Sequence, residues 1–168
     1  DSVRYLSEMY QAMFDELSDS FDVVITLGDH GELFGEHDTW QHAYGLHPEL
    51  THVPLVVSGD RIENETTETV VSLTDVFHTI THLTGSSGGD PERALIDRQG
   101  TPRTREDAVY TEYHGVNARN WEKVESEGYD PSPYDDPLYG VATQSGTYGY
   151  QTDADFVARE ARDRLEEL

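Results

Sequence analysis

The stretch Val23-Val24-Ile25-Thr26-Leu27-Gly28-Asp29-His30-Gly31 decides how this chain is read. A run of β-branched and aliphatic residues stops at Gly28, and a carboxylate and an imidazole follow side by side. A strand buried in a parallel sheet has this near-continuous apolar sequence, and open α/β folds place ligands where such strands end. Asp29 offers a hard oxygen and His30 a neutral nitrogen, and neighbours at a strand end can both turn toward one cation. A solvated strand-to-loop turn fits the same residues, so at this point both readings stay open.

Upstream, Leu6, Met9, Tyr10, Met13, Phe14 and Leu17 recur at helical spacing. Residues 3–18 therefore read as an amphipathic helix with its apolar stripe in the core. Downstream, residues 28–52 form a long loop rich in histidine and aromatics, of a length that is usually functional or disordered. Residues 53–58 make the next strand, with Pro54 at its start where a missing donor is tolerated. Thr74 or Asp75 caps a helix through Val76, Phe77, Ile80 and Leu83, which Gly85 ends.

Beyond it, Ser86 to Thr104 is rich in Gly, Ser and Pro and reads as a linker or surface loop. Val109 to Tyr113 alternates as a strand, and Trp121 to Pro137 reads as an irregular insertion. Residues 139–144 and 147–152 flank Ser145-Gly146, a two-residue hairpin signal. Thr152 with Asp155 has the form of a capping box opening a helix through Val157, Ala161, Leu165 and Leu168. The expected organisation is a core over 1–85, a linker or surface loop over 86–108 and a small subdomain over 109–168.

The 168 residues carry 34 acidic against 11 basic side chains, a net charge of −23. Apolar residues at 35% and aromatics at 10% exceed what a disordered acidic tail contains, so a folded domain with an acidic surface is expected. Lys123 is the only lysine. Acidic excess with lysine depletion suggests an extreme halophile, because about molar salt shortens the Debye length to about 3 Å. A high-salt cytoplasm is the expected location, with export of a longer parent left open. No basic stripe exists to neutralise phosphates, which disfavours nucleic-acid binding. The absence of cysteine excludes disulfides and a thiolate zinc site. No apolar run approaches membrane-spanning length.

After Asp29-His30-Gly31 come Gly35-Glu36-His37, then Trp40-Gln41-His42, then Thr51-His52-Val53-Pro54-Leu55-Val56-Val57. This ordered set resembles the sulfatase family of the alkaline phosphatase superfamily, which has an Asp-His-Gly or Asp-Asn-Gly metal motif, a Gly-Glu-His segment and a Val-Pro-Leu strand in that order. Ser72 to Ile80 with Leu83-Thr84-Gly85 is similar to the family's helix of Asp, aliphatic, aromatic, Pro and Thr. Gly28 stands where Ser is usual, and His78 where Pro is usual. The likeness spans about residues 3–85 and implies the C-terminal part of an alkaline-phosphatase-like α/β fold, with parallel-sheet strands and helices plus a small antiparallel sheet and a C-terminal helix. The family's paired-Asp motif and its Cys- or Ser-x-Pro-x-Arg sequence, whose first residue becomes the formylglycine nucleophile, have no match here. The expectation is therefore that the nucleophile lies in an N-terminal part of the same protein, and that this portion alone is inactive.

The resemblance implies that Asp29 and His30 complete a divalent-cation site, most often Ca²⁺, with Mn²⁺ or Mg²⁺ as alternatives. His42 stands where many sulfatases have a Lys contacting sulfate and leaving-group oxygen. There it can bind substrate and donate a proton, since a free imidazole titrates near neutrality; an exposed loop histidine is the other reading. His114 either faces the substrate cleft or is solvated. Glu32 and Glu36 read as solvated acids with a supporting role for His30 as the alternative, and His52 as structural. His37, His42, His47 and His52 recur every five residues, a period that no helix or strand face gathers. A sulfate ester is the expected substrate and the N-terminal part the expected partner, with self-association through an uncovered apolar face. A phosphoester or phosphonate hydrolase of the same superfamily, or a module that lost catalysis, remains an alternative.

Overall fold

The structure is a computed structural model that describes residues 2–38, 40–42, 45–115, 118–128, 130, 132, 135–145, 147–151 and 156–160. Helix α1 (Ser2–Ser20) leads into strand β1 (Val24–Leu27). The chain then makes a short hairpin of β2 (Leu33–Phe34) and β3 (Trp40–Gln41), with a 3-10 turn at Glu36–Asp38 between them. One turn of helix, α2 (Pro48–Thr51), precedes β4 (Leu55–Ser58), and α3 (Thr74–Thr84) follows. Strand β5 (Val109–Tyr113), helix α4 (Ala118–Ser126) and strands β6 (Leu138–Ala142), β7 (Thr147–Gln151) and β8 (Phe156–Glu160) complete it.

The expected parallel pairing around β1 is not what forms. Strand β1 pairs antiparallel with β4, Val24 opposite Ser58 and Leu27 opposite Leu55. An apolar run signals burial, not direction, and the intervening loop returns the chain without the helical crossover that a parallel neighbour needs. The sheet is also less covered than a parallel core strand would be, for Leu27 and Val56 are 39% and 52% exposed. Helix α1 touches it through the Tyr10 hydroxyl, 2.8 Å from Thr26 Oγ1. Only Tyr10, Phe14 and Leu17 of its apolar stripe are half-buried; Leu6, Met9 and Met13 are more than half exposed, against the core packing expected for them.

The buried residues lie elsewhere. Leu33, Leu46 and Leu50 are buried in the stretch between β1 and β4, and Leu95, between buried Ala94 and Ile96, donates its N–H to Thr79 Oγ1 of α3, where Asp75 and Thr81 are buried too. Helix α3 ends as expected, with Gly85 at φ 70 and its N–H on Thr81 O. Its start differs. Leu73 takes the N-cap position without a side-chain bond, and Asp75 reaches back from the first turn to accept the Ser72 N–H at 2.7 Å. His78, standing where the resembling family has Pro, accepts the Asp90 N–H on Nδ1 at 2.9 Å and so ties the next segment to α3.

Strands β5 to β8 form a four-stranded antiparallel meander in chain order. The hairpin expected around residues 145–146 exists, but β6 ends at Ala142 and β7 begins at Thr147, so its connection is longer than two residues. Helix α4 occupies part of the stretch expected to be irregular. The C-terminal helix is corrected over Phe156–Glu160, which is a strand paired with β7, Val157 opposite Tyr150. The apolar run Phe156-Val157-Ala158 suits a paired strand as well as a helix, and pairing with an available strand decides between them. The rest of that expected helix, residues 161–168, and its capping box at 152–155 lie outside the described residues. Gln144 joins the meander to the rest, exchanging bonds of 2.8 Å with both the N–H and the C=O of Val70. No described helix is long and apolar enough to cross a membrane.

Candidate active site

Strand β1 delivers the first two candidates. Gly28 N–H bonds Pro54 O at 3.0 Å, the last link between the strands, and Asp29 and His30 lie just beyond it. A Cβ at Gly28 would meet Val53 Cβ at 3.4 Å, an ordinary contact, so the serine usual in the resembling family would also fit. Asp29 Oδ1 accepts the His30 N–H at 3.1 Å and lies 3.9 Å from His30 Nε2. His30 Nδ1 is 2.9 Å from Gly31 O. A carbonyl only accepts, so Nδ1 carries the proton and Nε2 of the neutral ring keeps its lone pair for a ligand.

The hairpin brings the third candidate to the second. Leu33 pairs with Gln41 and Phe34 with Trp40. Continued by one residue, that register sets Glu32 opposite His42, and cross-strand neighbours touch. His42 Nδ1 is 2.7 Å from Glu32 Oε2. The His42 ring stacks on His30 with centroids 4.1 Å apart. Gln41, at φ 74, takes the left-handed conformation that turns the chain just before His42. His30, Glu32 and His42 each present a ligand atom within 4.8 Å of the others. The group is open to solvent, with the His42 side chain 49% and Asp29 87% exposed.

The structure thus brings His30 and His42 together beside Asp29. Glu32, read from sequence as a solvated acid, holds His42 directly. Its signal was the pairing of Leu33-Phe34 with Trp40-Gln41, visible only once those dipeptides are read as two short strands. Glu36 bonds the Phe34 N–H at 2.5 Å. His52 closes α2 with its backbone N–H on Pro48 O, and the residue is exposed. His114 follows β5 with its side chain 76% exposed and its Nε2 3.5 Å from Glu112 Oε2.

Two histidines and one or two carboxylates at a strand end can hold a divalent cation. A histidine whose Nδ1–H is held by a carboxylate can also pass a proton from Nε2. The Sulfatase family model matches residues 1–86, the half of the chain that holds β1, the hairpin and α3. No curated protein matches the chain. The match covers just over half of the 168 residues and includes every element that builds this site, so the chain belongs to the Sulfatase family, a family of hydrolases that generally bind a divalent metal.

Proposed function

We propose that this chain forms part of the active site of a sulfuric ester hydrolase, with Asp29 and His30 as ligands of a divalent cation and His42 as proton donor. The observation that supports this best is the Glu32–His42 pair stacked against His30, one residue from Asp29. When a sulfate ester is cleaved, the S–O bond to the leaving group breaks and its electron pair stays on the departing oxygen. That oxygen takes the proton from His42 Nε2, while Glu32, 2.7 Å from Nδ1, orients the ring. The same histidine contacts a sulfate oxygen, and His114 supplies a further substrate contact from the end of β5.

The donors decide which ion fits. Ca²⁺ takes about six to eight oxygens, so Asp29 with His30 is a partial set that needs more carboxylates. In this reading a segment preceding Asp1 in the intact protein supplies them, together with a formylglycine nucleophile. Mn²⁺ accepts mixed oxygen and nitrogen ligands and suits the pair as well, and Mg²⁺ suits it less. The bound cation would polarise a sulfate oxygen and orient the nucleophile.

Three variants of the intact protein test the reading. Asp29→Ala removes aryl sulfate hydrolysis and saturable Ca²⁺ binding by calorimetry. His42→Gln lowers kcat by about 10²–10⁴, most for poor leaving groups, as loss of a general acid does. Glu36→Ala stays near wild type. Equal activity of Asp29→Ala and Glu36→Ala in calcium-replete buffer overturns the metal assignment. Faster turnover of an aryl phosphate than of the matching aryl sulfate moves the protein to a phosphoester hydrolase.

A further inference from the structure

The loop that carries His42 builds a second group with different members. His37 sits in the 3-10 turn, His47 immediately precedes α2, and Glu49 is in the first turn of α2. The His37 and His47 rings stack with centroids 3.9 Å apart and planes 12° apart, so one ring turns out of the stack when both in-plane lone pairs meet one ion. His37 Nε2 is 3.3 Å from Glu49 Oε2, and the three residues present ligand atoms that all lie within 4.8 Å of one another. Ligands about 2.0–2.1 Å from a tetrahedral zinc ion stand about 3.3–3.4 Å from each other, the spacing of the His37–Glu49 pair.

This group is less exposed than the one at His42, with the His37 and Glu49 side chains 22% and 14% accessible. The chain around it is fitted closely. Gly45 takes φ 79, and a Cβ there would crowd His47 Cδ2 and Nε2 at 3.2 Å. Gly31 passes so near α2 that a Cβ would fall 1.8 Å from Glu49 O. His37 itself has φ 57, a conformation that costs a non-glycine residue about 1 kcal/mol or more and persists only where surroundings hold it.

We propose that His37, His47 and Glu49 form a second cation site, selective for a borderline divalent ion such as Zn²⁺ and separate from Asp29 and His30. Two imidazoles with one carboxylate are poor ligands for Ca²⁺, which wants oxygen throughout, and suit zinc with one position left for water. An ion there joins the 3-10 turn to the start of α2, the two flanks of the segment that carries His42. The site thereby fixes where the hairpin presents that histidine, without touching substrate. It stands whether or not the reaction assigned to His42 is correct.

The test uses the whole chain with His30→Ala and His42→Gln combined, which dismantles the other histidine group. After chelation and dialysis against Zn²⁺, this variant is expected to keep one zinc per chain. Cobalt in its place should give the intense visible bands of tetrahedral coordination. In ¹⁵N-histidine spectra two rings shift on zinc addition, and adding Glu49→Gln or His37→Gln abolishes both the zinc and the shifts. Absence of stoichiometric zinc in the double variant, with wild-type circular dichroism, overturns the proposal. So does zinc retained after Glu49→Gln and His37→Gln, or shifts assigned to His52, His78, His82 or His114. Should the added substitutions unfold the chain, the assigned ring shifts in the double variant decide alone.

Discussion

Replacing Asp75 by Asn should be among the most damaging single changes available to this fold, although Asp75 has no part in the proposed chemistry. The residue has no accessible surface. Its Oδ2 accepts the Ser72 N–H at 2.7 Å and Arg105 Nη2 at 2.5 Å, and its Oδ1 accepts Arg93 Nε and Nη2 at 3.1 and 2.8 Å. Asparagine keeps one acceptor and turns an NH₂ toward groups that only donate. The Arg105 side chain is 15% exposed, so it loses a buried partner, a change that costs about 3–5 kcal/mol. The Arg93 side chain is 42% exposed and its pair contributes under about 1 kcal/mol. With a urea m-value of about 2 kcal/mol per molar, the midpoint should fall by about 1.5–2.5 M. Asp60→Asn at an exposed position should move it by less than about 0.3 M, and Arg105→Met added to Asp75→Asn should recover part of the loss. A midpoint for Asp75→Asn within error of Asp60→Asn would refute this account of the α3 core. Acid titration gives a second check. Burial works against the Asp75 charge, but Arg105, the Ser72 N–H and Arg93 outweigh it and hold the carboxyl below the ordinary carboxylate range. A depressed folded pKa gives stability that is full above about pH 4, the unfolded value, and is lost as pH falls through the folded value. Asp75→Asn should remove that part of the acid slope.

Gly31→Ala should lower the thermal midpoint by an amount equivalent to about 1–3 kcal/mol, because the new Cβ meets the backbone of Glu49 and must displace it; an unchanged midpoint by circular dichroism would show that the loop yields freely. The thermal midpoint should also rise steadily with KCl, since going from about 0.1 M to about 1 M shortens screening from about 10 Å to about 3 Å across a surface of net charge −23. A flat midpoint up to 2 M (roughly a 2 Å screening length) would remove the halophile expectation. If, as proposed, the nucleophile lies in another part of the protein, this chain by itself should not turn over an aryl sulfate; turnover that survives purification and depends on Asp29 would refute that.

What the sequence made legible was local. The Val23 to Gly31 run marks a strand and its polar exit, Gly85 marks a helix end, and Val109 to Tyr113 marks β5, because each rests on nearest-neighbour geometry. Strand direction was not legible, since residues 23–27 carry the same side chains whichever way β4 runs. The burial of α1 is not legible for a related reason. Periodicity shows which face is apolar, and whether anything covers Leu6 and Met9 depends on residues distant in sequence. The histidines at five-residue spacing show the limit most plainly. No regular element gathers them, yet the β2–β3 turn sorts alternate members, His42 to His30 and His47 to His37.

The polar core and the composition meet at two arginines. A chain with 34 acids and 11 bases has few cations to spare, yet two of them converge on Asp75, the one acid buried among the described residues. Both are arginines. Arg93 places Nε and Nη2 on a single carboxylate oxygen, and Arg105 spans from the other oxygen to Val70 O. A guanidinium does this with a rigid planar fork, while an ammonium offers one point of charge on a flexible stem. Lysine plays no part in this network, whereas loss of the arginines would leave a buried carboxylate without a cation, held by the Ser72 N–H alone. Retention of these two arginines therefore follows from the buried anion they neutralise. Fixed cations are kept where the core has an anion to neutralise, and on the halophile expectation salt screens the acidic surface that they leave uncompensated.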